Sequence, residues 1–405
     1  MRIGLLCPEP VGAGGIGTYT GTLARALADE GHDVRVLLPV APVPEEKGPC
    51  YHGLAFPSRY RLPAFNRAWG LSTALLPWAR HAAEAVRALH AEHPFDVIEV
   101  PEWMAGGLFL KPGRTLPALV VRLHTHLALV RRLNDLPMTL DARLASSLEA
   151  RALRHASMVL ANSAALADAV SIDYRIPRKA IDVLHLGVDV ERFSVQEAPA
   201  LKRSLGLEPT ETLALFVGRI ERRKGADTLV EAFAAAAAKV SGLHLAVAGG
   251  DTMTAPDGTS LREHLASRLM ATGYARRLHW LGPRDHRELP ELYAGCDFFV
   301  APSRLEPFGL VYLEAMAAGK PVIGCAAGGV PEIVQDGMQG VLVPPANAKA
   351  LAEALVLLAT DPKRRQAMGE RARARALAFD HRALASRTAA CYLEARARHA
   401  KGRHA

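Results

Sequence analysis

The sequence predicts an α/β protein built from two doubly wound domains, each a parallel sheet with helices on its faces. Its 405 residues exceed one ordinary core and fit two domains of about 150 to 200 residues. The chain opens on an apolar strand, a glycine-rich turn, a helix and a second strand, and a strand, glycine-framed turn and helix return after residue 212. Residues 296–325 then place a strand, a turn holding Glu306, a helix and another strand in succession.

Half of the residues are hydrophobic and 22% are charged, the balance of a folded globular chain. No window approaches the roughly 18 uninterrupted apolar residues of a membrane helix, and the run at residues 3–7 is too short for a signal peptide, so a cytoplasmic location is expected. Five scattered cysteines (Cys7, Cys50, Cys296, Cys325, Cys391) without a C-x-x-C pair fit a reducing compartment. The formal charge of +8 comes from residues 363–405, which carry twelve Lys or Arg against three acids. That tail has almost no aromatic residues to stack on bases, which argues against nucleic acid. It reads as a basic surface helix, and a peripheral contact with anionic lipid at the inner membrane face is left open.

In order, residues 1–7 form the first strand, 11–18 a flexible turn, 19–30 a helix ended by Gly31-His32, and 33–38 the second strand. A dinucleotide-binding unit would end that strand on an acid for the ribose, and Leu38-Pro39-Val40 has none. Residues 41–78, with several prolines, Trp69, Trp78, Arg59, Arg61 and Arg67, read as a lid or a disordered segment. Strands follow at 95–100, leading to Glu102-Trp103, and at 118–123, ending on His124-Thr125-His126. A histidine at the carboxyl end of a parallel strand stands where α/β sheets bind ligands, although many such histidines are ordinary hydrogen-bonding residues. Residues 159–163 are the next strand, with Ser163 capping a helix, and 181–189 run from the last strand of the first domain into the linker.

The second domain begins with a strand at 213–217, then Gly218-Arg219-Ile220-Glu221-Arg222-Arg223-Lys224-Gly225 and a helix from Ala226. Two cations five positions apart, framed by glycines before a helix N-terminus, suit a diphosphate, since Arg219 grips bidentately and Lys224 adds a point charge. The alternative is a solvated basic turn. After the strand at 243–251 and the segment 278–293 comes Pro302-Ser303-Arg304-Leu305-Glu306-Pro307-Phe308-Gly309, then a helix-forming run at 310–318 stopped by Gly319 and Pro321. Glu306 precedes that helix and Glu314 lies inside it. Taken alone, Glu306 would complement the helix dipole and Glu314 would be solvated or ion-paired.

The stretch from Glu306 to Glu314 resembles the paired-glutamate motif of the retaining GT-B glycosyltransferases called glycosyltransferase family 4. Gly218-Arg219 to Lys224-Gly225 resembles the family's Gly-Arg-x4-Lys-Gly signature, and matching segments run from residue 14 to 345. The resemblance implies two Rossmann-like domains facing across a cleft: residues 1–190 for the acceptor, 191–375 for the nucleotide sugar, and a basic helix at 376–405 whose return to the first domain is left open. It implies transfer of a hexosyl group, with retention, from a nucleotide-diphosphate sugar (UDP or GDP) to a small-molecule, lipid or glycan hydroxyl. No cofactor and no metal are expected, since no Asp-x-Asp stands at a strand end.

The same resemblance assigns catalysis to His124, Glu306, Arg219 and Lys224, with His126 as the fallback for His124. Gly14, Gly15, Gly17 and Gly218 would face the donor phosphates, the amides of Phe308, Gly309 and Leu310 the donor sugar, Glu314 the ribose, and Leu281 and Pro283 the base. Many relatives carry Glu in place of Gly17, and Pro-Asn-Gly-Val-Asp where this chain has His185-Leu186-Gly187-Val188-Asp189. The same fold hosts sugar-nucleotide epimerases and pyridoxal-phosphate-dependent phosphorylases, whose motif spacing this chain does not match.

Overall fold

Two sheets organise the chain, and every strand pair described in them is parallel. The structure, a computed structural model, describes residues 1–12, 14–39, 48–53, 70–113, 115–195 and 200–402. The first sheet contains β1 (Arg2–Leu6), β2 (Asp33–Leu38), β3 (Cys50–Gly53), β4 (Val97–Pro101), β5 (Ala118–Leu123), β6 (Met158–Ala161) and β7 (Ile181–Val183). The second contains β8 (Thr212–Val217), β9 (Leu243–Ala248), β10 (Leu278–Gly282), β11 (Phe298–Ala301), β12 (Val322–Cys325) and β13 (Gly340–Val343). β5 and β9 are buried along their whole length, as near-continuous apolar strands covered on both faces should be.

The strand orders are β3-β2-β1-β4-β5-β6-β7 and β10-β9-β8-β11-β12-β13. In each, the winding reverses beside the first strand, between β1 and β4 and between β8 and β11, and the carboxyl ends of the strands at such a reversal are where α/β sheets hold ligands. The chain divides into two compact units, residues 1–187 with 381–405, and residues 188–380.

Several local expectations are corrected. The first helix is Gly14–Asp29, so Gly14, Gly15 and Gly17 lie in its first turn and not in a flexible loop. The Gly17 amide donates to Glu9 Oε2 at 3.2 Å, which caps the helix early, and a Cβ at Gly17 would collide with the Pro10 carbonyl oxygen. Part of the segment read as a lid is ordered structure: β3 pairs with β2, and a helix spans Leu71–Glu92. That helix tolerates Pro77 because Leu75, Trp78, Ala79, Ala82, Ala83, Val86 and Leu89 bury one face. Its N-terminal amides at Leu71 and Ser72 donate to the Asp141 carboxylate at 2.9 and 3.0 Å, a cap from a residue distant in sequence. Arg59, Arg61, Arg67 and Trp69 lie outside the described residues.

The basic tail is likewise not one surface helix. Pro362–Ala376 belongs to the second unit, and His381–Gly402 returns to the first. Arg365, Arg371 and Arg375 donate to backbone carbonyls at Leu358 and Ala359, at Met338, and at Glu332 and Ile333, so these cations satisfy carbonyl acceptors of neighbouring segments. The last helix buries Leu384, Ala385, Ala389, Tyr392 and Ala395. Among the described residues no helix is long and apolar enough to cross a membrane.

Candidate active site

In the second unit the site is built where β8 and β11 end. After β8 the chain makes one tight turn at Arg222–Lys224, closed by Gly225 at φ 72°. A Cβ there would collide with the Pro302 carbonyl oxygen, so only glycine lets the cationic turn lie against the exit of β11. This close approach delivers Lys224 to Glu306: Nζ lies 2.6 Å from Oε2, and Ser303 Oγ donates to the same oxygen at 3.1 Å. The Glu306 backbone is held by a parallel bridge to Gly328 and by the Gly329 amide, 2.8 Å from its carbonyl oxygen.

Burial opposes the charge on Glu306, but Lys224 and Arg223 outweigh it and hold the carboxyl below its ordinary range. At Lys224 burial prevails over the attraction of Glu306, and the ammonium lies below its ordinary value. Arg219 is placed differently. Its side chain is 64% exposed and reaches Glu221 Oε1 at 3.3 Å, an oxygen that also accepts from Arg223 at 2.7 Å. The two cations of the motif are thus not gathered on one partner: Lys224 is committed to Glu306, while Arg219 projects from the turn. Gly218, at the end of β8, takes φ 153°.

Gly309, at φ 108°, begins the helix Leu310–Ala317, with the Phe308 ring buried 6.2 Å from Phe379. The amides of Gly309 and Leu310 lack intrahelical partners, as at any helix start, and the dipole there favours an electron-rich ligand. Of the two readings of Glu314, solvated or ion-paired, the structure excludes the first. Glu314 is 4% exposed, Tyr293 donates its hydroxyl to Oε2 at 2.9 Å, and His286 Nε2 lies 3.3 Å from Oε1. Neither His286 nor Tyr293 stood out in the sequence, since the spacing to Glu314 follows no local period. Leu281 is half-buried on β10 and Pro283 exposed just after it.

In the first unit, His124 follows β5 and is buried; its ring meets the edge of Tyr19 at 5.2 Å, and its amide donates to Glu102 Oε1 at 2.7 Å. Burial, aided by the charge of Arg122, pushes the imidazole down to about 3, so it is neutral across the physiological range. His126 is instead consumed by Asp173, 2.6 Å from its Nε2. Beneath His124 a buried network converges on Glu99: Tyr19 donates to Oε1 at 2.7 Å, and Arg122 and Tyr392 donate to Oε2 at 3.2 and 2.9 Å. Tyr392 comes from the final helix, which ties that helix to the strands carrying His124. Gly14 and Gly15 are exposed and Gly17 buried, with the Glu9 carboxylate against this turn. Among the described residues no group of three or more His, Cys, Asp or Glu is arranged to hold a metal ion.

Burial, then the charge of Glu149, pushes the Glu102 carboxyl up to about 8. A folded-state value above the unfolded one means that the folded protein keeps a proton the unfolded chain loses, so this group makes stability fall as pH rises from about 4.5 to about 8. Glu102→Gln, which retains an acceptor for the His124 amide, should lessen that fall by on the order of 3 kcal/mol. Unfolding midpoints of both proteins at pH 5 and pH 8 check this; an unchanged pH dependence would contradict it.

Residues 13–192 match the family model Glycosyltransferase Family 4, and residues 197–375 match Glycosyl transferases group 1. The D-inositol 3-phosphate glycosyltransferase of Actinosynnema mirum is 31% identical over 399 residues, an alignment covering 95% of this chain and 93% of that protein. Among solved structures, sucrose-phosphate synthase from Thermosynechococcus elongatus superposes with a TM-score of 0.79 at 25% identity, covering 97% of this chain and 98% of that one. Alr3699/HepE from Anabaena, in complex with UDP-glucose, superposes with a TM-score of 0.75 at 22% identity, covering 97% and 100%, a likeness of fold. With both halves matched by family models and one relative aligned nearly end to end, the chain belongs to the group 1 glycosyltransferases of glycosyltransferase family 4, with the GT-B fold.

Proposed function

We propose that this glycosyltransferase moves a hexosyl group from a nucleoside-diphosphate sugar to an acceptor hydroxyl and retains the anomeric configuration. The observation that carries the proposal is the Lys224–Glu306 pair, which puts a partly buried cation and an ionised acid side by side at the carboxyl ends of β8 and β11. Residues 188–380 take the donor: Lys224 and Arg219 offset the charge of the departing diphosphate, and Glu306 with the amides of Phe308, Gly309 and Leu310 bonds the sugar. Glu314 bonds the ribose, and Leu281 and Pro283 flank the base. The acceptor is assigned to residues 1–187, and contacts with the donor phosphates to Gly14, Gly15 and Gly17 and with its sugar to His124, as the family resemblance implies.

A histidine pushed to about 3 is a poor base near neutral pH, which supports a route in which the leaving phosphate itself receives the acceptor proton. UDP-glucose in the Anabaena structure makes UDP sugars the first donors to test, and the name of the Actinosynnema relative makes inositol phosphates the first acceptors. A thermal-shift panel of UDP, GDP and ADP sugars, followed by transfer assays with the stabilising donors, tests the proposal. No stabilisation by any donor would reject it. Because Lys224 and Arg219 carry the phosphate charge, transfer is expected to persist in EDTA, and a large loss restored by Mg²⁺ would refute that part.

A further inference from the structure

Glu314 is a nearly fully buried carboxylate whose donors, among the described residues, are one phenol and one imidazole. A carboxylate has about four lone-pair sites, and among the described residues two are occupied: one on Oε2 by Tyr293 and one on Oε1 by His286. The two donors differ in access. Tyr293 is fully buried on the helix Leu289–Gly295 and packs on Phe193 and Phe299, at 5.8 and 5.6 Å, so it is a fixed anchor. His286 lies just past the carboxyl end of β10, and its side chain keeps 13% of its surface exposed. Its ring meets the edge of Phe193 at 5.9 Å, and its carbonyl accepts from Arg192 at 2.7 Å, which fixes how the imidazole is presented.

We propose that His286 is a specificity residue of the nucleotide site: it holds Glu314 Oε1 so that the remaining lone pairs meet a vicinal diol, and the protein thereby selects ribonucleoside over deoxyribonucleoside diphosphates. The inference rests on the donor-binding role proposed for Glu314 and adds a residue and a selectivity to it. The physical cause is asymmetric. A ribose completes the hydrogen bonding of a buried carboxylate, whereas a deoxyribose leaves that group short of a donor, and sites built this way reject the analogue far more strongly than a purely apolar pocket does.

Calorimetry with UDP and GDP beside their 2′-deoxy and 3′-deoxy counterparts tests it on the wild type, His286→Ala and His286→Gln. The wild type should bind the better ribonucleotide at least about tenfold more tightly than one of its deoxy forms. His286→Ala should narrow that ratio to about twofold, and His286→Gln, which keeps an N–H donor, should restore part of it. Thermal unfolding of each variant guards against a folding defect, and the ratio between two ligands on one protein is insensitive to a uniform loss of sites. Undiminished ribose selectivity in His286→Ala overturns the inference alone. Failure of the wild type to bind either ribonucleotide overturns the donor assignment, and the inference with it.

Discussion

Lys224→Ala is expected to lower turnover about a hundredfold or more and to destabilise the second unit as well. A charge-assisted contact that strengthens as a phosphate departs is worth about 3 kcal/mol in the transition state, which sets the kinetic effect. The stability effect has a separate cause. Removing Lys224 leaves Glu306, 12% exposed, with Ser303 as its remaining side-chain donor among the described residues, and stranding a buried charge costs about 3 to 5 kcal/mol when burial is complete. Residual solvent access lowers that figure here. Arg219→Ala supplies the contrast: a side chain 64% exposed should cost turnover with little stability, because its buried partner Glu221 keeps the closer Arg223, 2.7 Å from the same oxygen.

The pair also has a pH signature. Glu306 is held below its ordinary value, so its contribution is complete above the usual carboxylate range and is lost as pH falls through the lower folded-state value. Lys224→Ala should therefore weaken the acid-side loss of stability, and combining it with Glu306→Gln should cost less than the two changes summed. Steady-state turnover and unfolding midpoints of the four proteins of the cycle decide the matter. Near-normal turnover in Lys224→Ala would remove the pair from the proposed site.

The second expected result is an α-linked product from an α-linked donor, formed with no acid limb from an imidazole. Inversion needs a general base near neutral pH opposite the leaving group, and His124, the histidine at the end of β5, is pushed to about 3 by burial and Arg122. His124→Ala should still slow turnover on the order of a hundredfold through lost positioning, because misplacement of about 1 Å has that scale of effect. The wild-type kcat profile should then show no break near pH 6.5. Proton NMR of the anomeric coupling in the first-formed product decides configuration, and a β product would end the retaining proposal. Mass spectrometry of Glu306→Gln and wild type under turnover searches for a glycosyl adduct. An adduct on Glu306 would keep retention but replace the proposed route with a double displacement.

Much of the fold was legible because parallel strands are continuous apolar runs and their turns are marked by glycine and proline. β1, β2, β5, β8, β9 and β11 all stand where such runs stand, and the helix Leu310–Ala317 stops where Gly319 and Pro321 require. The helix Leu71–Glu92 was not legible. A proline inside it argues against a helix locally, and its cap comes from Asp141, about seventy positions away. The start at Gly14 escaped for the same reason, since three glycines in a first turn have poor helix propensity and the compensation lies in Glu9 and Pro10 packing back on the turn.

By itself the sequence determined the fold class, the family and the positions of Arg219, Lys224, Glu306 and Glu314 in relation to strand exits, because motif spacing and hydrophobic period are local properties of a chain. Only the tertiary structure decided what those groups touch. Lys224 meets Glu306 across 82 positions, and Tyr392 reaches Glu99 across 293. Glu314 is buried between Tyr293 and His286, and His124 loses its basicity through burial and the nearby Arg122 charge. Charge state, burial and pairing depend on neighbours brought together by the winding of two sheets, and no period in a linear sequence encodes distances between residues so far apart.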